Sequence, residues 1–150
     1  MKVKIKSLND LKKLAKIFAE ISQNKMFYGL IGELGAGKTQ FVKFFVKAIG
    51  GDEDEVVSPT FTILNEYDTE KFKIYHFDFY RLEKFEELED IGFFEIIELD
   101  GIVFVEWIDK ILECLPEKYI LLKFYVKNSE REIEIQAEED ILKEVMRKWR

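Results

Sequence analysis

The 150 residues carry 23 basic against 30 acidic side chains, a formal charge of −7, with 47% hydrophobic and 35% charged residues. That balance excludes a disordered chain and a broadly basic nucleic-acid surface, and the length suits one domain burying roughly two-thirds of its unfolded surface. The single cysteine, Cys114, excludes an internal disulfide and a thiolate metal cluster; with no signal segment or membrane-length apolar run, a cytoplasmic chain with no membrane partner is expected.

The opening KVKIK alternates Val3 and Ile5 with lysines, as an edge strand does. Ser7 or Asn9 is placed to cap a helix running to about Glu20, in which Leu11, Leu14, Ala15, Phe18 and Ile21 recur at helical spacing. Met26 to Ile31 is apolar with no charged face, as a strand covered by helices on both sides must be. It runs into GELGAGKT, and FVKFFVKAI then predicts a second helix, ended by Gly50 and Gly51. Asp52 to Glu55 reads as a short acidic loop. Phe61 to Tyr67 and Phe72 to Tyr80 predict a hairpin, Leu82 to Leu99 short acidic helices joined near Gly92, and Gly101 to Trp107 a buried strand. A helical piece follows to Leu115 and is stopped by Pro116; Tyr119 to Val126 and Arg131 to Ala137 predict a second hairpin around Asn128 and Ser129. A last helix from about Glu138 begins with Glu138, Glu139 and Asp140 and ends with Arg147, Lys148 and Arg150, the polarity that suits a helix dipole.

The chemistry is concentrated between the second strand and second helix. Gly32-Glu33-Leu34-Gly35-Ala36-Gly37-Lys38-Thr39 matches G-x-x-x-x-G-K-[ST] in full, in the strand-loop-helix context that gives the pattern meaning. The free N–H groups of such a loop and its helix point at a polyphosphate, and the glycines let the backbone curl closely around it. Lys38 supplies a cation for the β and γ phosphates, and the Thr39 hydroxyl is placed to ligate Mg²⁺. A nucleoside triphosphate with Mg²⁺ is the expected ligand.

Hydrolysis also needs carboxylates. Asp78 and Glu106 each follow an apolar strand run, where open α/β sheets place ligand groups; either is suited to hold Mg²⁺ directly or through a water, or to orient the attacking water. Ser58-Pro59-Thr60 lies where nucleotide switches carry a loop that senses the γ-phosphate and metal. His76, the only histidine, shares a strand face with Asp78 and reads as a packed or supporting residue, not a metal ligand. Tyr80 and Arg81 follow that strand: Arg81 has a choice of phosphate, acidic segment or a plain surface ion pair. Trp107 either covers the nucleotide or closes the core.

GELGAGKT, SPTF with the downstream NEY, the run His76, Asp78, Tyr80, Arg81, Leu82, and Val105-Glu106-Trp107 occur in an order and spacing that resemble the bacterial TsaE/YjeE family, the small ATPase required for threonylcarbamoyl modification of tRNA adenosine 37. The resemblance implies a P-loop NTPase-like α/β three-layer sandwich around a mixed, largely parallel sheet, with ATP and Mg²⁺ as cofactors. It also implies two protein partners, the TsaD transferase and its paralogue TsaB, with tRNA contacted indirectly through them. By the same resemblance Gly35 to Thr39 hold the phosphates, Thr39 and Glu106 serve the Mg²⁺, Asp78 is an essential acid near the metal water, Thr60 belongs to the switch-like loop and Trp107 lies near the nucleotide. One departure stands out: where family members often have Thr or Ser at the start of the first helix, the matching position is Leu11.

Two other classes share such a loop. A small-molecule kinase needs an arginine-bearing lid, and the stretch after Asp78 offers only Arg81 before it turns acidic. A nonhydrolysing, nucleotide-gated binding module would bind ATP and partners without turnover. A GTPase is disfavoured by the absence of an N-K-x-D base-reading tetrapeptide.

Overall fold

The elements follow one another as β1 (Lys2–Ile5), α1 (Leu8–Ile21), β2 (Phe27–Ile31), α2 (Lys38–Ala48), β3 (Leu64–Tyr67), β4 (Ile74–Asp78), α3 (Glu87–Asp90), α4 (Phe93–Ile96), β5 (Ile102–Glu106), β6 (Ile120–Lys127), β7 (Glu130–Gln136) and α5 (Glu139–Trp149) in a computed structural model that describes residues 1–150. The seven strands form one sheet in the order β1-β7-β6-β2-β5-β4-β3. Four neighbouring strands, β6, β2, β5 and β4, run parallel; β7 and β3 run against them at the two sides, and β1 pairs antiparallel with β7 at the edge. The result is a three-layer sandwich with a mixed sheet at its centre.

Period-two alternation along the parallel strands sends side chains to two separate cores. Tyr28, Leu30, Ile74, Ile102 and Phe104 pack with α1, α2 and α5 on one face, and Phe27, Tyr75, Phe77, Val103 and Val105 pack with α3, α4 and the turns after Trp107 on the other. Aromatic rings meet at the centre of the first core: Tyr28 stacks on Phe104 at 4.8 Å between centroids, and Phe45 meets Phe104 edge-on at 4.9 Å. Helix α1 forms where its apolar stripe predicts, and Ser7 is its cap, accepting from the Asp10 N–H at 3.2 Å. At the β6–β7 hairpin Asn128 and Ser129 both have positive φ, 52° and 67°, the geometry of a tight two-residue turn.

Three expectations change in detail. The strand expected from Phe61 begins only at Leu64, because Ile63 turns back with φ 69° and donates its N–H to the Pro59 carbonyl at 2.7 Å. Phe61 to Ile63 therefore belong to the loop that carries Ser58-Pro59-Thr60. The piece after Trp107 is a 3₁₀ coil, Ile108–Cys114, broken at Ile111. Asp52 to Glu55 is also more ordered than a loop: Asp52 caps a 3₁₀ turn over Glu53–Glu55.

Candidate functional site

Parallel register puts the chemistry at the carboxyl ends of three neighbouring strands. β2 ends in the glycine loop, and β4 and β5 align so that Asp78 and Glu106 are direct partners across the ladder. Both acids share a face with Ile74, Ile102 and Phe104, and as the strands emerge from the aromatic core Glu106 meets Thr39 in the first turn of α2. Among the side chains buried in the whole chain, only Ser22, Lys38, His76, Asp78 and Glu106 are polar or charged, and four of these five belong to this one place.

The loop bends because of its glycines. Gly37 caps α2 with φ 113°, a conformation that strains any residue bearing a Cβ, and a Cβ on Gly32 would lie 2.9 Å from both the Phe124 carbonyl oxygen and its Cβ. Lys38 Nζ donates to the carbonyls of Gly32 and, at 3.2 Å, Glu33, and lies 4.2 Å from the centre of the Trp107 ring. Burial holds this ammonium below the usual lysine range, an effect that Glu106, Asp78 and Asp109 oppose. A desolvated lysine among carboxylates gains most from a partner carrying concentrated negative charge, such as a polyphosphate.

Thr39, one residue on, donates its hydroxyl to the Glu106 carboxylate, at 3.1 Å to Oε1 and 2.9 Å to Oε2. Glu106 Oε2 also lies 2.6 Å from His76 Nε2. This all-oxygen pair suits Mg²⁺, which binds proteins through one or two carboxylate or hydroxyl groups together with substrate phosphates. No three His, Cys, Asp or Glu side chains cluster as a metal cage, so phosphate oxygens and water would complete the coordination of an ion here.

Asp78 has a different set of partners. Its Oδ2 accepts the Ser58 and Thr60 hydroxyls at 3.2 and 3.1 Å, and Oδ1 accepts the Tyr80 N–H at 2.8 Å. The two hydroxyls lie 2.8 Å apart, so Asp78 gathers the Ser58-Pro59-Thr60 segment onto the end of β4. The bulky residues Ile63 and Trp107 flank the site with φ 69° and 62°, left-handed conformations that are costly for such side chains.

The remaining expected residues are less evenly placed. Tyr80 packs against Trp107, 4.9 Å between ring centres, and Trp107 both lines the groove beside Lys38 and packs against the second core. Arg81 makes none of the ion pairs expected of it; its guanidinium lies 5.2 Å from the centre of the exposed Phe61 ring in the switch-like loop. Leu34 projects outward from the glycine loop, 75% exposed, and Leu11 is buried with its Cδ2 3.6 Å from the position a Gly37 Cβ would take.

Over the loop lies a groove of about 400 Å³ whose wall includes Leu8, Leu11, Gly35, Lys38, Trp107 and Arg131. Arg131 was not foreseen. It comes from β7, and only the return of the β6–β7 hairpin carries it beside the loop, a placement no linear motif encodes. Two larger hollows, of about 590 and 730 Å³, lie elsewhere on the surface, and none of the five buried polar side chains lines either. The smaller groove is therefore the one with chemistry in it. No helix is long and apolar enough to cross a membrane.

Comparison with known proteins agrees with this geometry. The family described as "Threonylcarbamoyl adenosine biosynthesis protein TsaE" matches residues 5–134. The tRNA threonylcarbamoyladenosine biosynthesis protein TsaE of Haemophilus influenzae is 38% identical over 137 residues, covering 90% of this chain and 85% of that protein. The protein of the same name from Bacillus subtilis is 39% identical over 131 residues, covering 85% and 80%. Among solved structures, the crystal structure of Bacillus subtilis YdiB superposes with a TM-score of 0.79 at 29% identity, covering 98% of this chain and 94% of that one. A family match across most of the chain, relatives of nearly equal extent and a shared fold leave one conclusion: this chain belongs to the TsaE family of ATPases that serve threonylcarbamoyladenosine biosynthesis.

Proposed function

We propose that residues 1–150 act as one cytoplasmic ATPase domain that binds Mg-ATP through Gly32 to Thr39, hydrolyses it slowly when alone, and supports a TsaB–TsaD-like pair in threonylcarbamoylation of tRNA adenosine 37. The observation that carries this reading is the Thr39 hydroxyl held at 2.9 Å by Glu106, directly after the phosphate loop. In this reading Lys38 pairs with the β and γ phosphates, and the loop N–H groups take the remaining phosphate oxygens. Thr39 and Glu106 hold the Mg²⁺, which when bound neutralises the charge that develops on those phosphates. Asp78 keeps the Ser58 and Thr60 hydroxyls at the γ-phosphate end and orients the attacking water, while Trp107 and Arg131 flank the nucleotide. The partners complete the site and read its state; contact with tRNA is through them.

Slow turnover by the isolated chain is the expected behaviour of a phosphate loop whose site partners complete, since Arg81 lies over Phe61 and Arg131 sits in the groove wall beside Gly37. The test is phosphate release with and without the TsaB–TsaD pair, with Lys38→Ala and Glu106→Ala alongside. Stimulation by the pair and loss of turnover in both variants are expected. Fast hydrolysis by the lone chain, or variants that keep full turnover, would sink the reading. Rapid ATP consumption that depends on a small metabolite would point to a kinase instead, and tight ATP binding with no turnover even beside the partners to a nonhydrolysing gate.

A further inference from the structure

Behind Glu106 lies a buried chain of hydrogen bonds that the nucleotide chemistry does not itself use. His76 is fully buried, with Nε2 on Glu106 Oε2 at 2.6 Å and Nδ1 on the Tyr67 hydroxyl at 2.9 Å. Tyr67 is buried in turn, and its hydroxyl reaches the carbonyl of Val57 at 3.1 Å, immediately before Ser58-Pro59-Thr60. Asn65 Nδ2 approaches the same carbonyl at 3.3 Å. The path therefore runs from Thr39 through Glu106, His76 and Tyr67 to the switch-like loop, and no buried side-chain polar atom along it lacks a partner.

Sheet geometry builds this path. Antiparallel pairing of β3 with β4 puts Asn65 opposite His76, so Tyr67, two residues along β3, shares the sheet face that His76 presents. Parallel pairing of β4 with β5 puts His76 opposite Phe104, and Glu106, two residues on, faces it in the same way. A buried imidazole between a carboxylate and a phenol is costly to desolvate and is tolerated only because both nitrogens are paired. An apolar side chain would fill the space without that cost, yet it would leave Glu106 and Val57 unconnected.

We propose that His76 and Tyr67 are positioning residues: a buried strut that fixes the Glu106 carboxylate for its cation and ties the same carboxylate to the loop at Val57 to Thr60. The inference rests on the reading of Glu106 as a Mg²⁺ ligand. The Asp78 clamp holds the hydroxyls of the loop from one side, and the strut holds its backbone from the other. A shift of Glu106 on taking up Mg²⁺ is thereby transmitted to the loop through three hydrogen bonds. Partners that support a metal-binding carboxylate typically change metal affinity by about 10–100-fold when removed.

The variants that test this are Tyr67→Phe, which keeps the ring and removes only the hydroxyl, His76→Leu, and His76→Gln, whose amide still reaches Glu106. ADP binding is measured calorimetrically in EDTA and in Mg²⁺, and hydrogen exchange of residues 56–63 is followed without nucleotide. In the parent, Mg²⁺ tightens ADP binding. In His76→Leu that Mg²⁺-dependent gain falls by about tenfold or more; in Tyr67→Phe, which keeps the His76–Glu106 bond, it falls less; in both, binding in EDTA stays within about twofold and exchange at 56–63 accelerates. His76→Gln recovers most of the Mg²⁺ gain while its loop still exchanges fast. Parent-like Mg²⁺ dependence in His76→Leu or parent-like loop exchange in Tyr67→Phe overturns the strut, and so does equal weakening with and without Mg²⁺ in His76→Leu. Failure of the parent to bind ADP at all overturns the phosphate-loop reading instead, and the exchange of nucleotide-free Tyr67→Phe then still decides whether the hydroxyl holds the loop.

Discussion

Phe104 and Glu106 lie two residues apart on β5 and face the same side of the sheet, yet they end in opposite kinds of interior. Around Phe104 the rings of Tyr28, Phe41 and Phe45 close a layer whose one buried phenol, that of Tyr28, is satisfied by Ser22 at 2.5 Å. Around Glu106, beside buried Leu30, gathers a set of charged and hydrogen-bonding groups, each held by another: Thr39, His76, Tyr67, Asp78 with Ser58 and Thr60. The first region lowers the free energy of the folded chain by removing apolar surface from water. The second holds desolvated charges that packing alone would not favour, which is the usual arrangement where a protein does chemistry. Because both hang on the same strands, the aromatic layer provides the rigid base on which the charged one is set.

Mutations should separate the two. Phe104→Ala is expected to cost about 3–5 kcal/mol of stability through the cavity it leaves, read by denaturant unfolding, with nucleotide affinity changed only insofar as the fold is lost. Lys38→Ala should do the reverse: melting temperature at or above that of the parent, because a desolvated ammonium is removed, and kcat for partner-stimulated hydrolysis down on the order of a hundredfold. A large loss of stability in Lys38→Ala would erase the contrast. Glu106→Gln keeps the shape and removes the charge; ATP affinity should become nearly insensitive to Mg²⁺, measured by titration at fixed nucleotide, while affinity in EDTA changes little.

Smaller effects sharpen the apolar side. Burial raises the Tyr28 phenol above its ordinary range, with the Ser22 hydrogen bond opposing. The unfolded chain therefore releases this proton from about pH 10 while the folded chain keeps it, so stability that is complete below that pH falls as pH rises beyond it. Thermal melts between neutral pH and pH 11 should show a shallower alkaline loss in Tyr28→Phe than in the parent; identical slopes would place the alkaline sensitivity elsewhere. Ser7→Ala, which removes only the α1 cap, should cost about 1 kcal/mol and lower the melting temperature by a few degrees with no change in nucleotide binding.

Much of the site is legible along the chain because its parts are local. Gly32 to Thr39 need only a strand before them and a helix after them, and Asp78 and Glu106 identify themselves by ending apolar strands. The rest depends on pairing between distant segments. The course of Phe61 to Ile63 is set by Ile63 bonding back to Pro59 and on to Asp78, so a run rich in β-branched and aromatic residues becomes a loop against its own propensity. Arg81 meets Phe61, not a carboxylate, because the same loop brings that ring to it.

What the amino-acid order carried by itself was the glycine loop's phosphate-binding pattern, the two-sided burial of the central strands and the resemblance to the TsaE family, since each is read from residue types in short stretches and from the order of those stretches along the chain. Only the tertiary structure decided that Thr39 meets Glu106, that Asp78 gathers Ser58 and Thr60, that Arg131 returns to the groove, and that His76 joins Glu106 to Tyr67. Those contacts depend on strand order and register, which arise when seven strands pair across a whole sheet and are written in no single stretch of it.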